Sequence, residues 1–353
     1  MNTQIFATMG PACGTENIIK DMIDAGMTGM RLNLSHTTLP DSKDYIEAYR
    51  NAAQKAGIKP QILIDMQGPE LRVGALREQV ELVEGDVVRL YSPEEIFVSE
   101  SEVPEVEIPV PKAVLEKLQM GDEILLDDGK ILAKVEQKCE HKTAEDEKSL
   151  TKTSVDVQIL RGGLLRSHKS IKIVGKDVEM PVLTPHDIAN IKLAREYGVT
   201  ALMQPFVRSG EELRKVRRLL EEHDATEIKI YAKIENLTGV ANMDSIIPEA
   251  DVIVIARGDL GNDMPLWELP KVQKEIEAAC KRHNKPYIVV TQMLASMEHS
   301  PVPTRAEVSD IYHAVYHGAW GVMVTGETAV GEYPVEVIEY LAKTAASAET
   351  MNL

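Results

Sequence analysis

Short apolar runs alternate along this chain with longer stretches in which apolar residues recur every three or four positions. Eight runs stand out: residues 4–9 (QIFATM), 30–36 (MRLNLSH), 61–66 (QILIDM), 201–206 (ALMQPF), 228–234 (IKIYAKI), 251–256 (DVIVIA), 287–293 (YIVVTQM) and 322–327 (VMVTGE). Several are continuously apolar, as at 252–255, which suits parallel strands buried on both faces. The stretches between them carry helix signals. Ser209 with Glu212, and Thr304 with Glu307, have capping-box spacing. Thr184 before Pro185 gives the N-cap and first-turn order, and Gly26 and Gly198 stand where helices should stop. Strand then helix, eight times over, predicts an α/β fold, a closed (β/α)8 TIM barrel. An open doubly wound sheet is the other arrangement of such units, and the count of eight favours closure.

One interval breaks the rhythm. Between Arg72 and Lys172 the helical period disappears, and residues 80–92, 121–137 and 154–165 read as short strands with Gly and Asp turns. The polar stretch 141–154 (HKTAEDEKSLTKTS) reads as an exposed loop. The expected organisation is therefore a barrel from 1–72 and 173–353, with a small β domain, 73–172, inserted after the third barrel strand.

Composition narrows the classes without changing the fold. No apolar run approaches the ~20 residues of a membrane span, and the N-terminus lacks the basic-then-apolar order of a secretory signal. The three cysteines, Cys13, Cys139 and Cys280, are scattered, which fits a reducing cytoplasm and gives no metal cluster. A net charge of −17 argues against nucleic acid or an anionic membrane as partner.

The chemistry lies where the strands end. Barrel active sites gather at the C-terminal ends of the strands. Here those ends carry Arg31, Asn33, Ser35 and His36; then Asp65; Lys233 and Glu235; Arg257, Gly258 and Asp259; Thr291 and Gln292; and Thr325 and Glu327. Lys233 and Glu235, two apart on one strand, point to the same side. One charged strand end is solvation; several on one rim make a site. Glu235 and Asp259 are hard oxygen donors suited to Mg²⁺ or Mn²⁺, or alternatively a carboxylate pair bridged to Lys233 and Arg257. Lys233 and Arg31 would bring positive charge to a phosphoryl or enolate oxygen. The stretch ARGDLG after the sixth run could open a helix whose N–H groups receive a carboxylate.

The motifs RLNLSH, DMQGPELR, LDDGKI, KIEN, ARGDLG, TQMLASM, PVPTRAEVSD and TGETAVGEYP, in this order, resemble the pyruvate kinase family over nearly the whole chain. The resemblance implies the same barrel with the insert as a lid, and a site for phosphoenolpyruvate and pyruvate. It implies Glu235 and Asp259 as divalent-metal ligands, Lys233 as the lysine of phosphoryl transfer, and Thr291 beside the carbon that is protonated. Arg31 and Arg72 become phosphate-side arginines. Asn33, Ser35, Asp65 and the Met66 carbonyl become a K⁺ site, with Glu70 the glutamate of potassium-requiring members. Backbone at Gly258 and Asp259 would receive the substrate carboxylate, and His36 and Lys169 would face the nucleotide.

The departures cluster on that nucleotide side. Gln67 stands in place of a lysine, His168 replaces the first lysine of the usual pair while Lys169 keeps the second, and Val330 replaces a nucleotide-facing lysine. Asp41 lies where a tyrosine is expected, and Ala295 where a glutamate is. The sequence stops at Leu353, after the eighth helix, so the family's C-terminal domain is expected to be missing and a homo-oligomer is expected. The reading is a phosphotransferase acting between phosphoenolpyruvate and ADP with Mg²⁺ and K⁺. The alternatives are a paralogue that works through a metal-enolate without ADP, and a non-catalytic regulatory partner of a longer relative.

Overall fold

The structure, a computed structural model, describes residues 2–35, 37–69, 71–93, 104, 106–127, 129–142, 151–176, 178 and 180–351. The chain divides into two compact units, 1–69 with 182–353, and 70–181. Residues 70–72 and 173–181, placed with the barrel by the sequence pattern, fall in the second unit. The reason is pairing and packing: Ile173 pairs with Ile124, and Val178 joins the apolar core of the insert.

In the first unit, eight parallel strands close on themselves: Gln4–Thr8, Gly29–Asn33, Ile62–Asp65, Ala201–Gln204, Lys229–Ile234, Val252–Ala256, Tyr287–Val290 and Gly321–Met323. Closure is direct, Gln4 pairing with Gly321, so the open-sheet alternative is ruled out. Strand alternation then sorts the side chains into two cores. Ile5, Leu32, Ile64, Ile230, Ile253 and Val289 face outward and are covered by the surrounding helices. Phe6, Leu63, Met203, Tyr231, Val254, Ile288 and Met323 fill the barrel interior. Each such buried aliphatic or aromatic side chain contributes about 1.5–3 kcal/mol. Phe6 fits because its neighbours are small: a Cβ at Gly29 would stand 2.6 Å from its ring. Trp320 lies near it and near the edge of Tyr231, with ring centroids 6.1 and 6.3 Å away.

The helices start much as their sequences indicate. Thr184 caps Pro185–Ala194 in a reciprocal box with Asp187, and Thr304 caps Arg305–Tyr316 with Glu307. Gly26 and Gly198 both adopt positive φ just past a helix. Ser209 is a correction: its side chain makes no cap bond to Gly210–Glu222. Glu212 instead reaches back to the Arg208 N–H and guanidinium, which take its carboxylate away from the serine.

The insert has its own apolar core, with Val88, Leu115, Ile124, Val135, Val157 and Ile159. Its larger sheet has six strands, among them Val87–Tyr91, Ile131–Lys142 and Thr151–Arg161. Two expectations change. A short helix, Lys112–Lys117, interrupts a segment whose helical period had looked absent; it is only six residues long, too short to register as periodicity. Of the expected loop 141–154, residues 141–142 and 151–154 lie on paired strands, while 143–150 fall outside the described residues.

Candidate active site

Alternation along the strands turns every second residue into the barrel, and at the C-terminal ends the inward residues change from apolar to charged. Strand register sets them beside one another: Thr8 is level with Arg31, and Asp65 is level with both Asn33 and Met203. Arg31 grips Asp65 through Nε and Nη2, at 2.9 and 2.6 Å to Oδ2, and donates Nη1 to the Thr8 hydroxyl at 3.0 Å. Lys233 Nζ lies 3.2 Å from Asp65 Oδ1 and 2.9 Å from Glu235 Oε1. The Phe206 N–H donates to the other Glu235 oxygen at 2.8 Å. Lys233 and Glu235, at the end of the fifth strand, thus complete a ring with Arg31 and Asp65.

The electrostatics follow from burial and neighbours. Burial alone would push Asp65 up, but Lys233 and Arg31 outweigh it and hold its carboxyl below the ordinary aspartate value. Burial likewise opposes the Lys233 charge, and Asp65 and Glu235 overcome it, raising the ammonium's pKa. Glu235 goes the other way. Burial is the largest influence; Lys233 pulls the carboxyl down, Asp259 and Asp65 push it up, and it comes out at about 7. Three carboxylates, Asp65, Glu235 and Asp259, thus face two cations. That surplus of negative charge on hard oxygens suits a divalent cation. Among the described residues no group of three or more His, Cys, Asp or Glu forms a metal cage. A two-carboxylate seat, completed by substrate oxygens and water, is how Mg²⁺ is usually held.

Asp259 sits on the short helix Arg257–Gly261, directly after the sixth strand. Arg257 does not bridge the Glu235–Asp259 pair as the alternative reading had it. It pairs with Asp310 at 2.6 Å and donates to the Thr291 carbonyl from Nε and Nη2. Thr291 and Gln292 have φ of +80° and +56°. A β-branched residue at positive φ is an outlier, and each such residue stores about 1–3 kcal/mol. Gly258 makes room beside it: a Cβ there would be 3.1 Å from Thr291 Cγ2.

The other expected residues are placed as follows. Asn33 accepts the Ser35 N–H on its Oδ1, and the Ser35 carbonyl accepts from Gln67 Nε2. The Met66 side chain points outward into the helix layer. Arg72 belongs to the second unit, where it donates to the His168 carbonyl, and Lys169 pairs with Asp127 at 2.9 Å. His36 and Glu70 lie outside the described residues. Val330 is 66% exposed.

Comparison with known proteins agrees with the barrel fold. The family described as pyruvate kinase, barrel domain, matches residues 1–338. The chain belongs to the pyruvate kinase family. A pyruvate kinase of Geobacillus stearothermophilus is 37% identical over 98% of this chain and 57% of its own length. Those of Thermococcus litoralis and Chlamydia trachomatis are 39% and 36% identical, covering 70% and 66% of their lengths. The chain therefore spans somewhat over half the length of several of these pyruvate kinases.

Sequence reasoning missed four members of the site's surroundings. Thr8 receives Arg31, and Asp310 receives Arg257. The Phe206 N–H orients Glu235. Asp187 accepts from the N–H groups of Gln67 and Gly68 just after the third strand. Asp187 did leave a signal, as the third helical residue after Thr184, a capping-box position.

Proposed function

We propose that this chain transfers the phosphoryl group between phosphoenolpyruvate and ADP, giving pyruvate and ATP, in the cytoplasm. The observation that carries the reading is Lys233, held between Asp65 and Glu235 with Arg31 beside it. Two cations oriented before substrate arrives stabilise the charge that develops on phosphoryl and enolate oxygens without reorganisation. Arg31 orients the phosphate. Lys233 neutralises charge as the bond to phosphorus loosens. Thr291 lies on the carbon side, where the enolate takes up its proton, and the backbone of Gly258 and Asp259 receives the substrate carboxylate. Glu235 and Asp259 would hold Mg²⁺ or Mn²⁺, which supplies Lewis-acid polarisation of substrate oxygens when bound. Asn33, Ser35, Asp65 and the Met66 carbonyl would hold K⁺. Assembly into a homo-oligomer is part of the same reading.

A second reading is favoured by the exposed Val330, together with Lys169 committed to Asp127: a metal-enolate enzyme that does not need ADP. Pyruvate formation from phosphoenolpyruvate, with and without ADP, separates the two. An ADP-dependent rate supports phosphoryl transfer, and an equal rate without ADP supports the second reading. Removal of all monovalent cations tests the K⁺ site, and undiminished activity would exclude it.

A further inference from the structure

The end of the seventh barrel strand is held in a conformation its residues do not favour. Tyr287–Val290 is followed by Thr291 and Gln292, both at positive φ without being glycine. Isolated strain of this kind relaxes unless its surroundings over-determine it. The surroundings here converge on one guanidinium. Arg257 donates Nε at 3.2 Å and Nη2 at 2.7 Å to the Thr291 carbonyl. Nη2 also lies 2.9 Å from Met293 Sδ, and Nη1 is anchored on Asp310 Oδ2 at 2.6 Å. Asp310 belongs to the helix Arg305–Tyr316, so the fork spans three separate elements. Next to Arg257, Gly258 gives the Thr291 methyl room, since a Cβ there would stand 3.1 Å from Cγ2.

We propose that Arg257 and Asp310 form a clamp that sets the position of the Thr291 hydroxyl, and hence are positioning residues for the step on the carbon side of the substrate. The inference rests on the proposed reaction for the role of Thr291, but its geometry does not. A planar fork gives two parallel donors to one carbonyl, which a lysine cannot reproduce. Replacing Arg257 by Lys therefore keeps a positive charge opposite Asp310 and removes the grip on the carbonyl.

The test is a double-mutant cycle on pyruvate formation. Arg257→Lys lowers kcat by about tenfold to a hundredfold, the scale of a small misplacement of a reacting group, with KM for phosphoenolpyruvate within about twofold. In a Thr291→Val background the same substitution costs less than about twofold, because the hydroxyl it positions is already gone. Additive losses in the two backgrounds, or a loss confined to KM, would overturn the clamp. Asp310→Asn, which leaves the fork but frees its anchor, is expected to move kcat in the same direction by less, and serves if Arg257→Lys does not fold. A crystal structure of whichever variant folds gives a readout independent of turnover. Thr291 is expected to leave positive φ, and an unchanged φ near +80° would also overturn the proposal. A parent protein that forms no pyruvate under any condition instead refutes the proposed reaction, and the crystal structure then decides the clamp alone.

Discussion

Two sets of carboxylates in the barrel unit are satisfied in different ways. Inside the mouth, Asp65 and Glu235 are held chiefly by side-chain cations, Arg31 and Lys233. On the connections that follow the strands, Asp187, Glu307 and Glu327 are held largely by backbone N–H groups: Gln67 and Gly68, Ser296 and Thr304, and Leu294 and Thr325. A carboxylate closed by backbone donors fixes the path of the chain and has little left to offer a ligand. A carboxylate closed by side-chain cations can share those cations with an incoming anion and accept a metal in return. The same residue type thus builds the frame in one place and supplies chemistry in the other.

Lys233→Met is the severest disturbance of the inner set. Pyruvate formation should fall about a thousandfold or more, because positive charge vanishes where negative charge develops. The metal-free protein should also lose about 3–5 kcal/mol in urea melts, since buried Asp65 keeps its charge with Arg31 alone to balance it, while Glu235 is pushed further up and takes up a proton. Turnover within tenfold of the parent would show that the ring is structural only. Next come Glu235→Gln and Asp259→Asn, each expected to weaken Mn²⁺ binding by more than about tenfold in calorimetry while leaving the fold intact. Parent-like binding by either variant would remove that carboxylate from the metal seat.

The outer set should respond in stability rather than chemistry. Asp187→Asn keeps the shape but turns an amide toward backbone donors, so about 2–4 kcal/mol of unfolding free energy should be lost with Mn²⁺ affinity nearly unchanged. Val330→Lys adds a cation at an exposed position, and ADP binding by calorimetry should tighten about tenfold. No change would mean that position 330 does not face the phosphates.

The smallest effect is a pH dependence. Burial pushes Glu307 up, but the Ser296 and Thr304 donors outweigh it and hold its carboxyl below 4.5. With the folded value below the unfolded one, its contribution to stability is complete above about pH 4.5 and is lost as pH falls through the depressed folded value. Glu307→Gln should therefore flatten the acid side of a stability profile and leave its slope above pH 6 unchanged. A parent-like acid slope would mean that the folded carboxyl is not depressed.

Legibility differed by element for physical reasons. All eight barrel strands were readable, because strands buried on both faces are largely apolar and amphipathic helices separate them. Lys112–Lys117 was not readable, since six residues carry less than two turns of periodicity. Ser209 misled because its spacing to Glu212 was right but the neighbouring Arg208 competes for the same carboxylate. That Lys233, Glu235 and Asp259 stand at or just after the ends of barrel strands was readable. Arg257 was assigned the wrong partner, because nothing local distinguishes Asp310 from Asp259.

What the sequence alone determined is what repeats locally: the strand and helix periods, the two faces of each strand, and the clustering of charge where strands end. What only the tertiary structure decided is which of those charges meet. Lys233 and Asp65 lie 168 residues apart, and their contact exists because the barrel closes in one register that sets inward side chains of the third and fifth strands within reach of each other. A shift of one residue would have turned either side chain into the helix layer. The strained turn at Thr291 has the same origin. No local preference produces it; the Arg257 side chain, itself anchored on Asp310, holds its carbonyl.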